Sequence, residues 1–485
     1  MKDLREWMQV IRDMGELVEV HTEVDPHLEI TEIADRVMKA GGPAILFTNV
    51  TGSKMPVLIN QFGSERRMAA GLGGTDLDQI ASRISEIAEM QPPQGVMEKV
   101  KALGKLRELA SLGTKTVKNG PCQEVVLTGD DVDLDLVPIL HCWPGDGGPF
   151  ITLPLVFSND PVTGSRNCGM YRVQKVDKRT CMMHWQIHKD GRQHLLDSEG
   201  RVPVAVVVGT DPAVTYSATA PLPPALEEMM FAGFLRGKQV EMVKAVTQDI
   251  EVPAHAEIVI EGYVDATDLG DEGPFGDHTG FYTPVDQYPR FHVTGLTMRR
   301  DAIYSTTIVG MPPMEDFWLG KATERLFLPL IKMTVPDLVD MNLPLEGVFH
   351  NCAIVSVKKR YPGHAKKLIN AVWGLGLLSL TRCVVVVDHD VDVRDVSQVA
   401  FRAFSNVDAG RDMLVMDGPV DALDHAAPYA AYGAKVGFDA TAKWEGEGLV
   451  RPWPDEIRMS DDVRQRVDAR WADLGIHLPG AEKYR

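Results

Sequence analysis

The sequence predicts an α+β chain of several domains: a mixed N-terminal segment, a strand-rich middle and an α/β unit at the end. Three observations carry this. At 485 residues the chain exceeds one ordinary hydrophobic core. From about residue 120 to 310, short apolar runs alternate with turn-rich pieces, as in an antiparallel sheet or barrel. After about residue 320, helical and strand periodicities alternate, as in a separate α/β unit.

Residues 1–115 read as mixed α/β. Leu28, Ile30, Ile33, Ala34 and Val37 form a helical stripe that Gly41-Gly42-Pro43 ends, and Ala44–Phe47 follows as a strand. Gly71-Leu72-Gly73-Gly74 precedes a helix at about 76–90 and lacks dinucleotide-fingerprint spacing, so it reads as a helix-entry turn. Val96, Val100, Leu103, Leu106 and Leu109 mark a second amphipathic helix. The strand region comprises 150–157, 169–176, 182–188, 203–208, 257–264, 291–298 and 303–309, with one helix at about 225–236. The turn Arg299-Arg300-Asp301 is expected to join the last two as a hairpin. In the final unit, 352–357 and 383–387 read as buried strands and 364–380 and 396–404 as helices. A short helix at about 460–473 lies in the tail.

Composition excludes several functions. The net charge of −18 argues against a nucleic-acid surface as the main business. None of the six cysteines forms a C-x-x-C pair, which argues against a zinc ribbon, and few scattered cysteines suit a reducing cytosol. No apolar signal core opens the chain, and the run Ile369–Leu380 is too short to span a bilayer; it reads as a buried helix. A cytoplasmic protein, not transmembrane, is expected.

The chemistry concentrates at Glu272-Gly273-Pro274-Phe275-Gly276-Asp277-His278-Thr279-Gly280. Two carboxylates and a His on a Gly/Pro-defined loop suit general acid–base work, and equally a surface turn with solvated acids. Arg172 falls among apolar neighbours. If buried it needs an anionic partner, with Glu272 and Asp277 as candidates; at a sheet edge it would reach solvent. Strand alternation puts Asn167 and Arg172 on opposite faces unless Asn167 is still in the turn. His184 and His188 share a strand face about 13 Å apart, too far to hold one metal together. Glu228 opens a helix, where an acid favours the helix dipole or serves as a hard oxygen ligand.

Taken with Asn167-x-x-x-x-Arg172, the acidic loop resembles the UbiD-type decarboxylases that use prenylated FMN. The resemblance extends to 25–32, 231–237, 361–366 and Gly437-Phe438-Asp439-Ala440-Thr441-x-Lys443-Trp444, so it covers nearly the whole chain. It implies an N-terminal α/β segment (1–115), a split β-barrel flavin-binding domain (116–315), a C-terminal α/β oligomerisation domain (316–450) and a tail (451–485). The family's acid–arginine–acid set maps onto Glu272, Arg172 and Asp277, and its Mn²⁺ or Mg²⁺ shell onto Asn167, His184 and Glu228. Flavin contacts map onto Asn167, Met170, Tyr171 and Arg172, then onto His184, Trp185, Gln186 and Lys435. Ser217, Ala218 and Thr219 lie where related chains hold K⁺.

The chemistry agrees with the resemblance. Loss of CO₂ from an aromatic acid leaves electrons on a carbon that cannot hold them, and side chains are poor sinks. The protein then supplies a cation for the carboxylate and a proton for the carbon. Glu272 is expected to stay ionised against Arg172 while Asp277 carries the proton. The resemblance implies a hydroxybenzoate or naphthoate substrate in ubiquinone or menaquinone biosynthesis, with a small phenolic acid such as 4-hydroxybenzoate or vanillate as the alternative. It further implies a prenyl-flavin synthase as cofactor supplier and a homodimer or homohexamer. A flavin-binding protein without decarboxylase chemistry is the alternative of another class.

Overall fold

The structure is a computed structural model that describes residues 1–88, 112–185, 190–198, 200–222 and 226–476. The helix expected through Val96–Leu109 lies outside the described residues, as do Gln186 and the end of the expected strand 182–188.

The N-terminal helix Leu4–Asp13 is capped by the Asp3 carboxylate, which accepts from Glu6 N, and it buries Leu4, Trp7, Met8 and Ile11. The predicted stripe forms the helix Glu29–Lys39. A four-stranded sheet runs Leu17–Val20, Ala44–Phe47, Val57–Ile59, Tyr304–Ser305. Its last strand corrects the expected hairpin. After Arg299-Arg300-Asp301 the chain leaves the central sheet, and Tyr304–Ser305 pairs in parallel with Val57 and Leu58. The expected strand 303–309 is thus two residues long, and its partner lies far away in sequence.

Among the described residues the central sheet has nine antiparallel strands, eight on an open path and Val125–Thr128 paired beside Asp286–Met298, and they close no barrel. Two long strands form its spine, Ile258–Glu272 and Asp286–Met298. The first buries nearly every residue to Val264, then passes an irregularity before Leu269 and continues as a ribbon into the acidic loop. Arg201–Val208 and Leu155–Asn159 extend the sheet on one side. Thr180–Met183, Val173–Lys175 and Phe150–Ile151 extend it on the other. Arg166–Gly169 closes the first side by pairing with Leu155–Asn159.

The helix Glu315–Thr334 leads from this sheet to a five-stranded mixed sheet, ordered Leu338–Asn342, Cys352–Val357, Cys383–Asp388, Tyr432–Asp439, Met413–Pro419. The helix expected over 364–380 stops at Trp373, where Gly374 follows. Gly376–Leu380 is a 3₁₀ turn that leaves Leu377 exposed, so the apolar run is not one buried helix. Among the described residues no helix is long and apolar enough to cross a membrane.

Candidate active site

The acidic loop is the tip of the central ribbon. Glu272 ends its strand opposite Asp286, and Phe275–Gly276 pairs with Tyr282–Thr283. Asp277 N donates to Phe281 O and closes the turn. Gly273 has φ +91°, which disfavours any side chain there. A Cβ on Gly276 would lie 2.4 Å from the Trp143 ring. Side chains from neighbouring strands fix the loop's backbone: Gly273 N donates to Gln174 and Gly276 N to Asp146.

Arg172 reaches the loop because the expected strand 169–176 is broken. Arg166–Gly169 and Val173–Lys175 are separate strands, with Met170–Arg172 between them. Asn167 is therefore in a strand, opposite Ser158, rather than in the turn. The break at Met170–Arg172, not a turn at Asn167, interrupts the alternation between these two residues.

Arg172 bridges both acids. Its Nε and Nη2 donate to Glu272 at 2.7 and 2.9 Å, and its Nη1 donates to Asp277 at 2.7 Å. Nη2 also donates to Thr283 Oγ1, and the guanidinium lies 4.4 Å from the Phe275 ring centre. Among the described residues four of its five N–H groups are thereby used, leaving one on Nη1.

Glu272 is the expected partner of the arginine and Asp277 the expected proton carrier; here the arginine holds both. The guanidinium fork is wide enough to hold both carboxylates. Burial alone would push Glu272 up, but hydrogen bonds from His184 and Arg172 outweigh it and the carboxyl lies at about 2. Asp277 is likewise pushed up by burial, yet His278 and Arg172 hold it well below the usual carboxylate range. Both acids are ionised in this structure.

His184 sits in the same cluster. Its Nδ1 is 3.2 Å from Glu272 Oε2, and its ring packs on Tyr288 with centres 4.4 Å apart. Burial holds the imidazole below its ordinary pKa, so it is neutral and donates to Glu272 through Nδ1–H.

A second group of residues lies along Arg166–Gly169. Glu228, the first residue of the helix Glu228–Arg236, accepts from Cys168 N at 3.2 Å, which brings its carboxylate beside the Asn167 strand. Met170 N donates to Ala218 O, so the segment Ser217–Thr219 adjoins the same strand end. Lys435 lies in the C-terminal sheet instead. It donates to Ser379 O and stands 5.4 Å from the Trp373 ring centre, and none of these contacts ties it to Arg172.

Comparison with known proteins decides the family. Profiles of the 3-octaprenyl-4-hydroxybenzoate carboxy-lyase N-terminal, Rift-related and C-terminal domains match residues 8–87, 115–312 and 317–440. The chain belongs to the UbiD carboxy-lyase family. An uncharacterized protein of Archaeoglobus fulgidus is 49% identical over 478 residues, 98% of each chain. One of Aquifex aeolicus is 49% identical over 481 residues, 98% of this chain and 99% of its own. Among solved structures, the vanillic acid decarboxylase of Sedimentibacter hydroxybenzoicus in closed form superposes with TM-score 0.83 at 25% identity, covering 98% and 99% of the two chains. The UbiD-class enzyme HmfF of Pelotomaculum thermopropionicum with FMN gives 0.78 at 28% identity, covering 93% and 97%. Its evolved dimeric form was solved with prFMN.

Two buried donors near these segments of the UbiD chain are left over. Asn167 Nδ2 and Trp185 Nε1 are buried without a partner among the described residues. A flip of the Asn167 amide exchanges that N–H for a carbonyl oxygen, which with the Glu228 carboxylate suits Mg²⁺ or Mn²⁺. Among the described residues no cluster of three His, Cys, Asp or Glu side chains forms a metal site.

Sequence reasoning missed Thr283, Gln174, Asp146 and His350, which touches His278 from the C-terminal unit. They sit far from the loop in sequence, or beyond its turn, and carry no local signal.

Proposed function

We propose that this protein reversibly removes CO₂ from an aromatic carboxylic acid, without net oxidation, using prenylated FMN. The observation that carries this is Arg172 held between Glu272 and Asp277, in a chain that matches the UbiD family along its length. When bound, prenylated FMN supplies the electron sink that side chains lack. The N–H left on Arg172 Nη1 orients the substrate carboxylate. Glu272, held by His184, keeps the guanidinium in place. Asp277 delivers the proton to the carbon that CO₂ leaves. Asn167, His184 and Glu228 would hold Mn²⁺ or Mg²⁺ and so help retain the flavin, and backbone oxygens of Ser217–Thr219 would hold K⁺.

The substrate we favour is a hydroxybenzoate- or naphthoate-type intermediate of quinone biosynthesis. The 3-octaprenyl-4-hydroxybenzoate for which the family is named and the N-terminal block at 25–32 support this. The match to a vanillic acid decarboxylase supports a small phenolic acid as the second reading. Turnover of both classes by protein co-expressed with a prenyl-flavin synthase, together with metabolite analysis of a deletion strain, separates them. Accumulation of a quinone precursor acid supports the first. Protein that takes up the flavin and decarboxylates neither class overturns both.

A further inference from the structure

Asp277 must be neutral when it delivers its proton, yet here it is ionised, with its two oxygens turned to different partners. Oδ2 takes Arg172; Oδ1 accepts from His278 twice, through the backbone N–H and ring Nδ1, both at 2.8 Å. The opposite ring nitrogen, Nε2, lies 2.8 Å from Nε2 of His350. Two imidazole nitrogens at that distance share one proton between them. Phe349 stacks on the His278 ring with centres 5.2 Å apart, and Phe281 packs on His425 at 3.9 Å. The acidic loop therefore docks onto the C-terminal unit through this His pair.

We propose that His278 stores the proton that Asp277 delivers, and that His350, from the C-terminal unit, completes the store by accepting from the second ring nitrogen. The idea rests on the decarboxylation proposed above. The groups facing the pair fit it. His278 bonds Asp277 on its own loop and lies in the field of Asp316, at the start of Glu315–Thr334, and of Asp421, after Met413–Pro419. His350 faces His278, Asp421, Asp424 and Asp277. Burial opposes charge on His278, but Asp277 outweighs it and lifts the ring to about 8. Burial and the neighbouring His278 charge hold His350 at about 4, so it is the neutral acceptor. Asp316 is pushed up by burial to about 6 and shares the negative field.

The step balances. As the substrate carboxylate binds the spare N–H of Arg172, it competes for the guanidinium charge and the Asp277 carboxylate becomes more basic. The His278 Nδ1–H bond breaks and an O–H bond forms on Asp277. His278 is left neutral, its remaining proton on Nε2 and directed at His350. Asp277 passes its proton to the substrate carbon, and water supplies the next one once product leaves. His278 acts through Asp277 and is a positioning residue.

The test combines histidine NMR and kinetics on the flavin-loaded enzyme. In ¹⁵N-histidine-labelled protein, loaded and unloaded, the His278 ring is expected to be doubly protonated at pH 7 and to titrate near 8, with His350 neutral. H278Q is expected to lower kcat by at least about 10² with KM unchanged, and to remove the alkaline limb of the pH profile. H350L is expected to lose activity, and H350Q, whose amide oxygen still accepts from Nε2–H, to recover part of it. A His278 ring neutral at pH 7, an H278Q enzyme with parental kcat, or H350L indistinguishable from H350Q overturns the proposal. A parent enzyme that decarboxylates no aromatic acid overturns instead the function on which it rests.

Discussion

Arg172 and Glu272, 100 residues apart, form a two-point ion pair: Nε to Oε1 at 2.7 Å and Nη2 to Oε2 at 2.9 Å, with the carboxylate fully buried. Such a pair holds both planes in one orientation, which a single-point contact cannot do. It joins the strand break at Met170–Arg172 to the end of the central ribbon.

Removing the arginine strands two buried carboxylates. Arg172→Ala is expected to abolish decarboxylation and to cost about 3–5 kcal/mol of stability, the range for breaking a buried pair. Arg172→Lys keeps the charge but cannot fork to both acids, so it should be folded and nearly inactive. Denaturant unfolding alongside turnover checks both.

Acid stability follows from Glu272. Its carboxyl lies at about 2 folded, against an ordinary value of about 4.3 when unfolded. A lowered folded pKa gives stability that is present above the unfolded value and lost as pH falls through the folded one. Wild-type protein is therefore expected to lose stability between about pH 4.5 and 2, by on the order of 2–3 kcal/mol from this group. Glu272→Gln should show a shallower decline over that window in denaturant melts, on a lower plateau at neutral pH.

Glu228 is expected to matter for cofactor and little for fold. Its carboxylate opens a helix, and Oε2 accepts from Cys168 N. Glu228→Ala loses that bond, worth about 1 kcal/mol. It should leave the melting curve near the parent's while abolishing flavin retention, read from the visible spectrum after co-expression with a prenyl-flavin synthase. Full flavin occupancy in the variant removes Glu228 from the shell.

The C-terminal unit is proposed to mediate a homodimer or a dimer-based hexamer through residues of about 320–450. On the helix Val396–Asn406, Phe401 and Phe404 are 65% and 89% exposed, and Val415 on the edge strand Met413–Pro419 is 68% exposed. Apolar side chains left out this way suit a covered face. Light scattering at micromolar concentration should give a dimer or larger, and Phe404→Asp should weaken it. Monomer alone in the parent contradicts the assignment.

Where the sequence pattern and local packing agree, the fold was legible. Arg201–Val208 and Cys383–Asp388 are apolar runs buried between partners, and the predictions fall within a few residues of the observed strands. The ribbon Asp265–Glu272 was missed because Ala-Thr-Asp-Leu-Gly-Asp has no strand-like alternation; its extension comes from pairing with residues 286–289. Tyr304–Ser305 was misassigned because its partner strand lies at Val57–Leu58, which no local window contains. The candidate cluster was legible in part. A buried Arg172 called for an acid, and the loop offered two. That Arg172 would take both, and that His278 would meet His350, depends on how distant segments dock, and no motif encodes that.

The central claim is that the acidic loop protonates a substrate carbon in an aromatic acid decarboxylase. Asp277→Asn keeps the side-chain size and removes the acid, so it tests the claim most directly. In the prenylated-FMN-loaded enzyme we expect it to bind cofactor and substrate and to lose turnover by at least about 10², the scale of general acid catalysis. Near-normal decarboxylation by Asp277→Asn contradicts the account, and loss of activity in Glu272→Gln alongside it would place the proton on Glu272.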